Sequence, residues 1–160
     1  MNLCDVLTPA TIQLRVRVPD KPGLLAYLIE IVDAHGDLLD RQEALRAVRE
    51  REERLSTGIG HGIAVPHAKT DAVRTATAAL VTCSEPIEYD SLDGEPVDIA
   101  ILLLGRTSDV RLHLQLLGKL SRLVATDTDR EQFRRALLMA NSPDEAYENL
   151  RQLSDAADAK

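Results

Sequence analysis

The chain has 160 residues, enough for one domain with a buried core, and is 44% hydrophobic but only 2% aromatic, so that core must be aliphatic. A net charge of −7, with 19 basic residues interleaved among 26 acids, excludes the clustered cations of a nucleic-acid surface. The longest apolar run, residues 99–104, falls far short of the roughly 20 residues of a membrane span, and residues 1–20 lack a basic-then-apolar leader, so a cytoplasmic protein is expected.

Residues 11–18 alternate, with Ile12, Leu14, Val16 and Val18 on one side, which predicts a half-buried strand. After a Pro/Gly turn, apolar residues at helical spacing predict a helix over 24–34, closed by Gly36. His35 sits at that helix end as a structural residue. A second helix starts at Asp40, with Glu43 as its capping-box partner, and ends in the charged run 49–54. A short strand is expected at 63–65, a longer one at 75–83, and an edge strand at 87–89 with Asp93-Gly94 as its turn. Residues 97–104 are apolar on both faces, as a central strand covered on both sides requires.

Helices are expected over 110–125, 129–139 and from Ser142, where Pro143 and Glu145 form a strong start signal. Residues 154–160 read as a frayed polar tail. Mixed strands and helices predict an α/β (α+β) class, with helices on both faces of one sheet. Cys4 and Cys83 form no motif and read as reduced.

The chemistry concentrates in Arg51-Glu-Glu-Arg-Leu-Ser-Thr-Gly-Ile-Gly-His-Gly-Ile-Ala-Val-Pro-His-Ala-Lys69. Pro66 forces the chain out of the strand and places His67 at a sheet end, where ligand sites of open sheets gather. A neutral imidazole is a nucleophile that can carry a phosphoryl group. Ser56 and Thr57 offer hydroxyls, Gly58, Gly60 and Gly62 leave backbone N–H groups approachable, and Arg51 offers a fork for charge. His113 heads a helical stripe with Leu116, Leu117, Leu120 and Val124. It is either a satisfied core residue or a partner that meets His67. His61, His67 and His113 lack a familiar zinc spacing, and the glycine run lacks the features of a nucleotide fingerprint, so neither zinc nor a nucleotide fold is expected from these residues.

The run 56–67, with Arg51 sixteen residues before His67 and the pair His113-Leu114 opening a long helix, resembles the enzyme IIA domain of the phosphoenolpyruvate-dependent sugar phosphotransferase system, fructose/mannitol type, including its stand-alone nitrogen-regulatory form. The resemblance spans residues 7–153 and treats the chain as a single such domain. It implies a mixed sheet of about five strands and a mechanism that needs no metal or organic cofactor. It also implies a phosphohistidine at His67, loaded by the phosphocarrier HPr or its paralogue and read or discharged by an enzyme IIB or a regulatory target. His113, Thr57 and Arg51 are implied to line the site. Ala68, Leu55 and His61 depart from the family's usual residues and bear on the choice of partner. Separately, residues 16–26 resemble the strand–loop–helix opening of ACT amino-acid-sensing domains, a short match that the rest of the chain does not continue.

Overall fold

A computed structural model describes residues 1–160. Its elements are α1 (Leu3–Val6), a 3₁₀ turn (Pro9–Thr11), β1 (Ile12–Val16), α2 (Lys21–Ala34), α3 (Arg41–Arg54), β2 (Gly58–Gly60), β3 (Ile63–Ala64), β4 (His67–Lys69), β5 (Thr77–Ile87), β6 (Val97–Gly105), α4 (Val110–Leu123), α5 (Asp127–Leu138) and α6 (Pro143–Asp158). The caps expected at Asp40 and Ser142 form, and Asp20, Asp109 and Thr126 add three more. Each of these side chains accepts an N–H in the first turn of the helix that follows. Gly36, at φ +88°, takes the left-handed conformation after α2.

One mixed sheet runs β1-β5-β6-β3-β2, and β4 continues on β6 beyond β3. On β6, Ala100, Leu102 and Leu104 face a core layer shared with α2 and α3, whereas Ile99, Ile101 and Leu103 face one shared with α4, α5 and α6. Both faces are therefore covered, which explains a strand whose every residue from Ile99 to Gly105 is buried. Cys83 lies in the first layer and Cys4 packs against the second, so the two free thiols stand on opposite faces of the sheet.

Four expectations change. The alternation of residues 11–18 breaks at a bulge between Gln13 and Val16, where Arg15 has φ +55°. Ile12 and Leu14 pack into one layer, Val16 and Val18 into the other, because one inserted residue switches the face. Residues 87–89 form no edge strand: Ile87 ends β5 and pairs with Val97 of β6. The glycine run folds into the β2–β3 hairpin, where Gly60 and Gly62 take positive φ. A Cβ on Gly58 would stand 2.3 Å from the Ser91 hydroxyl, so this glycine admits the loop that covers the hairpin edge. Finally, the expected frayed tail is helical to Asp158, with Ser154 buried and Ala157 packed on the core.

Candidate functional site

Pro66 interrupts pairing without ending it. Its carbonyl accepts from Leu103 N, and His67, Ala68 and Lys69 then pair in parallel with Leu103, Leu104 and Gly105. Residues in register share a face, so His67 points toward α4 with Leu103, and Ala68 toward α3 with Leu104. From the first turn of α4, His113 meets it, with ring centroids 5.6 Å apart and planes tilted by 47°. Between α3 and α4 lies an open cleft of about 360 Å³ lined by both histidines, Arg51, Lys69, Glu50 and the apolar Leu114 and Leu117.

The His67 ring is held from behind. Its Nδ1 donates to the Val65 carbonyl at 2.7 Å, which leaves Nε2 as the unprotonated nitrogen. Burial, aided by the Arg51 charge, lowers its pKa against the opposing pull of the Val65 bond and Glu52. The ring is therefore neutral at pH 7. Burial pushes His113 down further, to about 4, with the His67 and Lys69 charges acting the same way. Arg51 donates from one nitrogen to the Leu55 carbonyl at the end of α3, which holds the guanidinium at the cleft.

The hydroxyls expected to face a phosphoryl group are engaged elsewhere. Thr57 is buried, its Oγ1 donating to Glu52 at 2.6 Å and lying 3.0 Å from the Tyr89 hydroxyl. Ser56 donates to the Tyr89 carbonyl and lines a separate, larger cleft of about 560 Å³ that contains no histidine. The site is assigned to the smaller cleft because both imidazoles are there. His61 sits at the hairpin tip and lines a third cleft with Asp98 and Arg134, so the three histidines do not converge.

A buried charge network supports the site from below. Glu52, on α3, accepts from Thr57 N at 2.8 Å and pairs with Lys21 Nζ at 3.0 Å. Lys21 also donates to the Tyr89 carbonyl and lies 4.4 Å over that ring. Burial and the Glu52 charge push the Tyr89 phenol well above its usual range. Thr57 in turn accepts from Val65 N at 3.0 Å, so the network ends at the residue that orients His67. Sequence reasoning missed Glu52, Lys21 and Tyr89, since nothing in residue spacing reveals that a charge in the run 49–54 turns inward. It also passed over Lys69. The pairing of β4 on β6 places that cation two residues beyond His67 on the same face, a relation that only the structure reveals.

A family model described as "Phosphoenolpyruvate-dependent sugar phosphotransferase system, EIIA 2" matches residues 5–153. The chain belongs to that family. This EIIA chain is 36% identical to the PTS system fructose-specific EIIA component of Haloferax volcanii over 135 residues, 82% of this chain and 88% of the relative. It is 35% identical to the PTS system fructose-specific EIIABC component of Bacillus subtilis over 144 residues, 90% of this chain but only 22% of that longer relative. Its fold matches nitrogen regulatory protein IIA-Ntr from Neisseria meningitidis with a TM-score of 0.82 at 27% identity, covering 92% of this chain and 97% of the other. Of the three positions expected to bear on partner choice, Ala68 is buried against α3, Leu55 is 60% exposed and His61 has φ +58°. The strand and helix of residues 16–26 belong to the same sheet and core, and Lys21 is tied into the Glu52 network.

Proposed function

We propose that the chain is a phosphohistidine carrier of the phosphotransferase system. His67 would accept a phosphoryl group from phospho-HPr, or a paralogue, and pass it to an enzyme IIB. The observation that carries this is the pairing of a neutral His67, whose Nε2 is left free by the Val65 bond, with a second imidazole in one open cleft. In the transfer, the Nε2 lone pair forms a bond to phosphorus while the P–N bond of the donor's phosphohistidine breaks. The electron pair of that bond leaves with the donor imidazole. The Val65 carbonyl holds Nδ1–H and eases the positive charge that develops on the His67 ring. Arg51 and Lys69 offset the charge of the phosphoryl oxygens, and His113 donates a hydrogen bond to one of them. Discharge reverses these roles when the acceptor's thiolate attacks phosphorus and the His67 ring leaves. Thr57 and Ser56 act behind the site, holding the β2–β3 hairpin, and do not contact the phosphoryl group. Exposed Leu114 beside the cleft suits a brief docking contact with both partners.

A regulatory reading uses the same histidine. The likeness to a nitrogen regulatory protein supports it, and the added phosphoryl charge would then tip affinity for a target protein. Incubation with phosphoenolpyruvate, enzyme I and HPr, followed by intact-mass measurement, tests the carrier chemistry common to both. One acid-labile phosphate is expected, absent in His67→Ala. A phosphate that persists in that variant, or none on the unaltered chain, refutes the assignment. Chase with an enzyme IIB then separates carrier from regulator by whether the phosphate leaves.

A further inference from the structure

Nδ1 of His113 is sealed from solvent and has no hydrogen-bond partner, although the ring is buried to 4% exposure. Its environment is specific. Gly105, the last residue of β6, lies directly against it, and a Cβ on Gly105 would stand 3.0 Å from Nδ1 and 3.5 Å from His113 Cβ and Cγ. Gly105 does not need to be glycine for its backbone, since its φ is not positive. It is fixed by pairing with Lys69, and its carbonyl accepts from Thr70 N. What the missing side chain provides is room for the imidazole.

A neutral imidazole carries its proton on one nitrogen or the other. On Nδ1, that proton would be a buried donor with no acceptor, facing the hydrogens of the Gly105 Cα. On Nε2, it leaves Nδ1 a bare lone pair against those hydrogens, a weak but favourable contact. Nε2 is not sealed in this way, and the cleft with His67 is the open side of the ring. We propose that Gly105 is a positioning residue for phosphoryl transfer: its bare Cα seats His113 with Nδ1 aprotic and so fixes Nε2–H as the donor presented to the cleft. This rests on the role given to His113 above. The two histidines then differ in what stands behind them. A carbonyl oxygen behind His67 draws the proton to Nδ1 and frees Nε2 to attack. A carbon wall behind His113 drives the proton to Nε2 and makes it a donor.

Long-range ¹H–¹⁵N spectra of the imidazoles at pH 7 test the claim on the unaltered chain. His67 is expected to be protonated at Nδ1 and His113 at Nε2. In Gly105→Ala the added methyl displaces the His113 ring, shifting its ¹⁵N signals while those of His67 hold. Discharge of phospho-His67 to an enzyme IIB should slow roughly tenfold, as small misplacements of a transfer group do. Gly118→Ala adds the same methyl to α4 in open space and serves as the control that leaves both readouts unchanged. A His113 proton on Nδ1 in the unaltered chain overturns the proposal, as does a folded Gly105→Ala variant with the normal discharge rate. Should that variant not fold, the spectrum of the unaltered chain alone decides. Failure of His67 to take up phosphate would instead remove the carrier reading and leave the tautomer result standing.

Discussion

Burial of two neutral imidazoles makes the site itself a source of pH dependence. The His113 pKa falls from 6.5 to about 4 on folding, so the unfolded chain binds its proton more readily than the native one does. The stabilisation this gives is complete above pH 6.5 and is lost as pH falls from there toward 4. By pH 5 the loss from His113 alone is about 2 kcal/mol. His67, shifted in the same direction, adds to it. His113→Gln removes the larger part, so urea unfolding at pH 7 and pH 5 should show a clearly smaller difference in that variant. An equal pH dependence in both proteins would mean His113 titrates normally. The place of His67 beside a cleft was legible from sequence because a proline and a glycine-rich run mark it. The hydrogen bonds of Ser56 and Thr57 were not, because a hydroxyl in such a run looks the same whether it faces a ligand, a backbone carbonyl or a buried carboxylate.

At the scale of elements, the junction of α3 with the β2–β3 hairpin sets where Arg51 and His67 stand. Glu52 is the hinge of that junction, and its side chain is 4% exposed while that of its partner Lys21 is 21% exposed. Glu52→Gln leaves the Lys21 ammonium half-buried without a counter-charge, at a cost of about 2–3 kcal/mol, below the full penalty for a wholly buried pair because water still reaches Lys21. Denaturant midpoints should show that loss, and Glu52→Gln/Lys21→Met should recover much of it, since the double variant strands no charge. Additive losses would mean the pair is not coupled. The phosphorylation rate of Glu52→Gln should fall as well, because Thr57 would hold Val65 less firmly. The sequence showed the helices well, since their caps are local signals. It hid the split of β3 from β4, because continuity there depends on β6, some thirty-five residues away.

For the molecule as a whole, the two-layer arrangement explains which expectations survived. The strand at 97–104 was readable because apolar residues on both faces need cover on both faces, whatever the cover is, while the strand expected at 75–83 runs from Thr77 to Ile87. The bulge in β1 was not, because Ile12 to Val18 alternate perfectly in sequence and only the partner strand reveals the inserted residue. The tail was misread for a related reason. Ser154, Ala157 and Asp158 look polar or weakly apolar, yet α6 carries them over the layer containing Leu120 and Leu150, and Asp158 stands 3.9 Å from Lys119. Ending the chain at Leu153 uncovers that end of the layer. Loss of the buried Ser154 and the Ala157 contact amounts to about 1–2 kcal/mol of apolar cover, which for a chain of this size lowers Tm by roughly 2–8 °C. The His67 cleft does not include α6, so uptake of phosphate at a temperature where both forms are folded should be unchanged. Thermal melts of the two lengths, followed by the mass assay, test both halves. An unchanged Tm would return residues 154–158 to the frayed state, and a lost phosphate would tie the far end of the helical layer to the histidine site.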